Sequence, residues 1–459
     1  MIQITPFAPI FLLLMLIASC GIRGWMFATG IAVFFQSAAP ILINAGGRVS
    51  GLIPAYGLMF IGLAHVVLSK LRQRGPERPL DASTAPVIWL TAFTIVGVIG
   101  AALLPRLFEG QARVMPPAFG LDTAFVERVH PSGRNAIQAI YLLCNLSLLL
   151  LCRGFLRSGS VTMREALRGL AFGASISAVL GLYQVAAYQL AWPWPDSVIN
   201  SNAGVGQLYE QTALGIHRMS STFLEPSLLG FHFLSAFALF GIGLRHRAVG
   251  SLLLLCLLIS TSSSAYAGLL LLFPVAVLIY TNPTEGKSAL VLILFAVAAA
   301  CAYVVDLVWM QGAITSSFLT EKLSSASGLD RARTNWVALN TFRDSWGLGV
   351  GVGSSRVSGL PMTLASTVGI PGLICLIGFL TSLVRACLKR RDPLGRAFGL
   401  AILAMAIVWA LSIPDLAEPY AWVLCGLACG LLSMPKALCA ADAARDSTLG
   451  SPVRSEQLA

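Results

Sequence analysis

The chain has 459 residues, of which 56% are hydrophobic and only 11% are charged, and its mean hydropathy is +0.79. A soluble domain carries about 25% charged residues, so the composition excludes a water-soluble globular protein and predicts a membrane protein. The net charge of +11 does not indicate nucleic-acid binding, because the basic residues lie in short segments between apolar runs.

A helix needs about 20 apolar residues to cross a bilayer, and such runs recur along the whole chain. They predict an all-α polytopic membrane protein with about 12–13 transmembrane helices. The count is thirteen if the first run crosses the membrane and twelve if it does not. The predicted spans are 7–21, 25–43, 52–69, 86–104, 135–152, 169–190, 223–243, 248–261, 264–281, 289–308, 364–384, 397–414 and 419–434.

The distribution of Lys and Arg predicts which ends of the spans face the cytoplasm, since basic residues in short loops stay there. Basic clusters at 70–78, 153–168, 245–247 and 385–396 fall on one side of the predicted topology. The opposite side receives the three longest loops, 105–134, 191–222 and 309–363. We therefore expect a single transmembrane domain over 1–439 and a disordered cytoplasmic tail over 440–459.

A first candidate site lies between His217 and Ser227, where an outer loop leads into an apolar span. Glu225 and Pro226 suit the first turn of a helix, because Pro lacks the N–H that is unsatisfied there and a carboxylate meets the helix dipole favourably. Arg218 can extend along the membrane edge or bind a phosphate through two hydrogen bonds. His217 is either a general base or a solvated loop histidine.

A second candidate segment comprises Asp330–Trp336 and the glycine-rich stretch 346–353. Arg331 and Arg333 lie two residues apart and point in different directions on a helix, so we expect only one of them to face a site. The glycines indicate close backbone packing beside a membrane helix. A nucleotide-binding loop would need a following Lys and Ser or Thr, which this segment lacks.

Other chemistry finds little support in the sequence. The segment 259–268 is rich in Ser and small residues, which predicts close helix packing. Most of the ten cysteines lie inside apolar runs, without paired CxxC spacing, and are interpreted as small membrane hydrophobes. HExxH and GxSxG motifs do not occur. The spans contain almost no ionisable residues, which argues against an ion-coupled transporter.

Three segments occur in the order found in the bacterial O-antigen polymerase/O-antigen ligase-like family. RMSSTFLEPSLLG (218–230), ISTSSSAYAGLLLL (259–272) and RARTNWVALNTFRDSWGLGVGVGSSR (331–356) resemble its motifs, and GIPGL (369–373) resembles a span that follows them. The resemblance covers about 215–385. The chain departs from the pattern because no Arg follows Ser263 or Ser264, and because Arg333 is one residue closer to Trp336 than the commonest spacing.

The resemblance implies a glycosyltransferase of the broad GT-C kind that uses a polyprenyl-diphosphate-linked oligosaccharide without a metal or other cofactor. Its two functional arginines would map onto Arg218 and onto Arg331 or Arg333, with Glu225 and His217 as candidate bases. Ligases of the family carry a His after the glycine motif, and 357–367 contains none. This absence favours a polymerase, and the Glu-Pro-Ser variant of the first motif resembles the exopolysaccharide-polymerase branch.

We therefore expect a polymerase in the bacterial inner membrane, with its active site facing the periplasm. It would transfer a polyprenyl-diphosphate-linked glycan onto a second lipid-linked repeat unit. Membrane lipid, a flippase and a chain-length regulator are the expected partners, and nucleic acid is not. Two alternatives remain: a ligase or protein O-oligosaccharyltransferase, and a lipid-linked glycan flippase. A flippase would show internal repeats and polar residues at mid-membrane.

Overall fold

The computed structural model describes residues 1–45, 48–72, 81–115, 126–203, 212–213, 216–281, 291–293, 295–296 and 326–434. The strands are short: β1 (Ile2–Ile4), β2 (Ile41–Ala45), β3 (Arg48–Gly51), β4 (Arg113–Val114), β5 (Glu127–Arg128), β6 (Thr212–Ala213) and β7 (Ile216–His217). They form one antiparallel sheet of order β1-β2-β3 and two separate pairs, β4-β5 and β6-β7.

The protein is mostly helical. Its helices are α1 (Ala8–Ser19), α2 (Ile22–Ala32), α3 (Pro54–Arg72), α4 (Thr84–Leu107), α5 (Gly133–Arg157), α6 (Met163–Leu190), α7 (Asp196–Ile199), α8 (Pro226–Ala236) with a π-helical continuation (Phe237–Gly243), α9 (Arg247–Ile259), α10 (Ser263–Tyr280), α11 (Ala326–Asp344), α12 (Leu360–Thr367), α13 (Gly369–Lys389), α14 (Pro393–Ser412) and α15 (Pro419–Ser433).

Seven helices in the described part of the chain are long and apolar enough to cross a membrane. They are α4, α5, α6, α8 with its π-helical continuation, α10, α13 and α14. Four shorter apolar helices accompany them: α1, most of α3, α9 and α15. The expectation of a mostly helical membrane protein is therefore confirmed. Most of the predicted span 289–308 and all of the predicted tail 440–459 lie outside the described residues.

The predicted span 25–43 is wrong in its second half. Helix α2 ends at Ala32, and Ile41–Ala45 forms a strand instead. Pro40 keeps a helix from continuing through to residue 43, because it disfavours helix at the residue before it and cannot donate a helical hydrogen bond. Rings of Phe7 and Phe35 lie 5.6 Å apart, so the start of α1 lies beside the end of α2. With 12 and 11 residues, each helix is shorter than a full crossing.

Helices α2 and α6 pack with their backbones in contact because glycines face each other. A Cβ on Gly30 would lie 2.6 Å from the carbonyl carbon of Gly169, and one on Gly173 would lie 2.6 Å from the Gly30 oxygen. Small residues permit this close approach in membrane proteins. The contact fixes the end of α2 against α6, where the candidate site lies.

The glycine-rich segment 346–353 lies against the ends of α4 and α12. Gly351 has φ +90°, and its hypothetical Cβ would lie 2.8 Å from Cδ of Pro105 and 2.9 Å from the Gly100 oxygen. The Gly351 N–H donates to the Thr367 carbonyl at 2.8 Å. This geometry confirms the interpretation of the glycines as close packing. It also divides the predicted span 364–384, because the inserted backbone lies between the end of α12 and the start of α13.

We expect Gly351→Ala to destabilise the protein more than Gly159→Ala. Both residues adopt a left-handed conformation, which costs a side chain about 1–2 kcal/mol. Only Gly351 is packed, because a Cβ on Gly159 meets nothing within 4 Å; overpacking should add about 1–3 kcal/mol at Gly351. Thermal unfolding of the two variants in detergent measures the difference. Equal losses of stability would contradict the packing role of Gly351.

Candidate active site

The first candidate segment runs down the side of α6 into the helical part of the protein. The His217 ring stacks on Tyr188 near the end of α6, with ring centroids 3.7 Å apart. Further along, the Thr222 hydroxyl contacts the Ser177 hydroxyl at 2.7 Å, near the middle of α6. Eleven residues separate Tyr188 from Ser177, which corresponds to about 16 Å along the helix axis. The segment therefore carries non-helical backbone to the middle of a helix of membrane-spanning length.

Side chains and backbone groups of neighbouring elements supply hydrogen-bond partners for the backbone of this segment. Oε1 of Gln184 accepts hydrogen bonds from the N–H groups of Ser220 and Ser221 at 2.9 and 2.7 Å. The Thr222 carbonyl accepts from the N–H groups of Gln36 and Ser37, both at 3.1 Å. Irregular backbone at membrane depth is tolerated only where the protein buries and satisfies it. Gln184 and Ser177 were not predicted from the sequence to contact this segment. Their seven-residue spacing, which places them on one face of α6, was the signal that could have identified them.

Arg218 lies half-buried at the head of this segment. Its Nη2 donates to the Thr261 carbonyl at 3.3 Å, which links it to the turn before α10. Burial lowers the pKa of the Arg218 guanidinium, the Glu225 carboxylate opposes this effect, and the positive charge of Arg331 adds to it. Two arginines and one carboxylate therefore lie close enough for their charges to interact.

Arg331 and Arg333 are both exposed on α11. The charge of Arg331 is the one that acts on Arg218. The two side chains leave the helix in different directions, as the two-residue spacing predicts. This electrostatic effect favours Arg331 as the partner of Arg218 in the candidate site.

Glu225 is the N-cap residue of α8, and Pro226 occupies the first helical position, as predicted. The Glu225 carboxylate accepts a hydrogen bond from the Ser227 hydroxyl. Its negative charge also acts on Arg356, a residue of the loop after the glycine motif. The Glu225 carboxylate is thus close enough to act on both Arg218 and Arg356.

Arg356 forms an ion pair with Asp415 that the sequence analysis did not anticipate. Nη2 of Arg356 donates to one carboxylate oxygen of Asp415 at 2.8 Å, and Nε donates to the other at 3.1 Å. The Asp415 carboxylate raises the pKa of the Arg356 guanidinium, and the charges of Glu225 and Glu418 add to this effect. About half of the Arg356 side chain is exposed. The pair therefore presents a fixed polar surface to solvent beside Glu225.

A buried carboxyl group lies behind this pair. Glu418 is 1% exposed and accepts a hydrogen bond from Nε2 of Gln36 at 2.5 Å. Its other oxygen lies 3.9 Å from Nε2 of His232. Burial raises the pKa of Glu418 well above the usual range, the negative charge of Asp415 raises it further, and the hydrogen bond from Gln36 opposes both. Burial therefore favours the neutral form of the Glu418 carboxyl group.

His217 is buried, with its ring parallel to that of Tyr188. The interpretation as a solvated loop histidine is therefore wrong, because the stack and the surrounding chain exclude solvent from the ring. Of the two candidate bases, Glu225 is the one whose charge acts on Arg218 and on Arg356.

The Ser-rich turn before α10 allows the close packing predicted for it. A Cβ on Gly230 of α8 would lie 3.0 Å from the Cβ of Ala265 in α10. The same turn supplies the Thr261 carbonyl that accepts from Arg218. Among the described residues, no group of three or more His, Cys, Asp or Glu side chains could hold a metal ion.

We expect Gln184→Ala to destabilise the protein by about 2 kcal/mol or more, because it leaves two buried N–H groups without an acceptor. Gln189→Ala is the matched control, since Gln189 lies on the same helix but is exposed. Thermal unfolding of both purified variants measures the effect. A Gln184 variant as stable as the control would mean that the segment 218–223 does not depend on α6.

Comparison of the chain with models of known protein families and with curated proteins finds no match. A functional proposal for this protein therefore rests on the sequence motifs and on the arrangement of the site. Their common elements are the arginines 218 and 331, the carboxylate of Glu225, and the ion pair of Arg356 with Asp415.

Proposed function

We propose that the protein is a GT-C-like membrane glycosyltransferase that polymerises polyprenyl-diphosphate-linked repeat units at the periplasmic face of the inner membrane. The order of the three sequence motifs supports this function. The arrangement of charges around Glu225 supports it independently, because Arg218 and Arg331 provide a positive site suited to a diphosphate.

The electrostatic effect of Arg331 on the half-buried Arg218 is the observation that carries the proposal. Burial and the positive charge of Arg331 both lower the pKa of the Arg218 guanidinium, and the Glu225 carboxylate opposes them, so a further anion would bind there favourably. Guanidinium groups bind phosphate oxygens through paired, planar hydrogen bonds. A diphosphate carries more than one negative charge, so it can engage both arginines while Glu225 remains nearby.

In the proposed reaction, a hydroxyl of the acceptor sugar attacks the anomeric carbon of the donor glycan. A new C–O bond forms, and the bond from the anomeric carbon to the diphosphate oxygen breaks. The leaving diphosphate keeps the electron pair, and Arg218 and Arg331 stabilise its developing charge. Glu225 accepts the proton of the attacking hydroxyl. Arg356 and Asp415 offer planar hydrogen-bonding groups to sugar hydroxyls.

We expect Arg218→Ala and Arg218→Lys both to lower the polymerisation rate about a hundredfold or more, as loss of one fixed donor to a developing anion does. Lys cannot reproduce the planar pair of hydrogen bonds. The assay uses cells and measures polymer, protein level and the leaflet in which lipid-linked repeat units accumulate. Arg106→Lys is the control, because Arg106 is exposed at the end of α4 and bonds to its own helix.

Two results would count against the proposal. Normal polymer in Arg218→Lys would mean that the guanidinium only extends along the membrane edge. Repeat units retained in the cytoplasmic leaflet would mean that transport has failed, and the protein would be a flippase. Units that accumulate in the outer leaflet without being joined are the expected outcome.

We expect Arg331→Ala to be severe and Arg333→Ala to be mild, because the charge of Arg331 acts on Arg218. The two variants remove the same charge from the same helix, so each serves as the control for the other. Polymerisation with purified protein and lipid-linked repeat units measures both rates. The reverse order of severity would contradict the selection of Arg331.

A further inference from the structure

Helix α11 has an unusual distribution of polar and apolar residues. Its buried side consists of small or polar residues: Thr334, Ala338, Thr341 and Ser345, none more than 7% exposed. Its exposed side includes Leu329, Trp336 and Leu339, which are 60%, 62% and 40% exposed. A helix on a water-soluble surface has the opposite distribution. The apolar part of the exposed side of α11 therefore favours an apolar environment.

The exposed apolar residues form one continuous stripe. Leu329, Ala332, Trp336 and Leu339 follow each other at spacings of three, four and three residues, which places them on one face of the helix. Asp330, Arg333, Asn340 and Asp344 form a neighbouring polar stripe at spacings of three, seven and four residues, which Val337 interrupts between Arg333 and Asn340. An apolar stripe beside a polar one, with Trp among the apolar residues, is typical of a helix that lies in a membrane interface.

The chain that follows α11 meets a helix of membrane-spanning length with an exposed apolar face. Ile370, Ile374 and Ile377 form an exposed row on α13, a helix of membrane-spanning length, and are 50%, 55% and 57% exposed. The Ile370 N–H donates to the Gly347 carbonyl at 2.8 Å, so the chain that leaves α11 meets the first turn of α13. The end of α11 is therefore level with the end of a membrane helix.

Trp346 lies at this junction and is 80% exposed. Its ring meets the edge of Phe108, directly after α4, with ring centroids 6.1 Å apart. Its backbone φ of +52° is unusual for a residue with a side chain. Tryptophan is enriched where membrane meets water, because its ring is apolar and its N–H is polar. Trp346 thus marks the level of the bilayer surface at the ends of α4 and α13.

We infer that α11 lies on the lipid bilayer, with Leu329, Trp336 and Leu339 in the boundary between headgroups and acyl chains. Arg343 lies within the exposed side and reaches the lipid phosphates, as long basic side chains at membrane surfaces do. Arg333 lies at the edge of the apolar stripe, on the side that faces water. This orientation explains why Arg331, on another side of the helix, is the arginine that meets Arg218.

The inference is tested on the full chain in nanodiscs of phosphatidylethanolamine and phosphatidylglycerol, with the native cysteines replaced. A nitroxide label is placed at Leu339→Cys or at Asp344→Cys, the matched control on the exposed polar stripe. Collision with dissolved oxygen reports lipid, and collision with a nickel chelate reports water. We expect the ratio of oxygen to nickel accessibility to be several-fold higher at 339 than at 344.

A second measurement uses native cysteines and does not depend on labelling. Brominated acyl chains quench tryptophan fluorescence, so Trp336→Leu should lose a lipid-quenched component that the wild-type protein has. A label at 339 that collides more with nickel than the control would overturn the inference, because the stripe would face water or glycan. Protection at 339 from both reagents would also overturn it, because protein from this chain or a second copy would cover the stripe.

Discussion

The hydrogen-bonding requirement of the backbone between Arg218 and Phe223 governs the arrangement of the site. This segment leaves the end of α6 and descends to about its middle without forming a helix, so its N–H and C=O groups need partners inside the protein. Gln184 supplies an acceptor for two of the N–H groups, and the chain after α2 supplies donors for the Thr222 carbonyl. Close packing of α2 against α6 brings both sets of partners to the segment.

With the backbone of 218–223 fixed by these hydrogen bonds, the charges of the surrounding side chains determine what the site can bind. The Glu225 carboxylate acts on Arg218, which the charge of Arg331 also affects, and on Arg356, which forms an ion pair with Asp415. Burial favours the neutral form of Glu418 beneath them, so that the site keeps its positive character. This balance suits a substrate with a concentrated negative charge next to sugar hydroxyls, which is the chemistry of a lipid-linked diphosphate glycan.

Helix α11 relates the site to the membrane. Its buried stripe of Thr334, Ala338 and Thr341 packs on the protein, its apolar stripe faces outwards, and the chain after it meets the start of α13 at Ile370. A polyprenyl-diphosphate keeps its chain in lipid and its diphosphate at the surface. An interfacial α11 would let such a molecule bring its diphosphate to Arg331 without leaving the bilayer.

The sequence by itself determined the helical membrane architecture, the positions of most spans, the start of α8 at Glu225 and Pro226, and the close packing of the glycine motif. These features follow from local hydropathy, from the missing N–H of proline and from the backbone freedom of glycine, so they are visible in short windows. Only the tertiary structure placed the charge of Arg331 near Arg218, paired Arg356 with Asp415 and joined Gln184 to Ser220. Each of these choices depends on contacts between residues 36 or more positions apart, and local patterns do not encode which distant side chains meet.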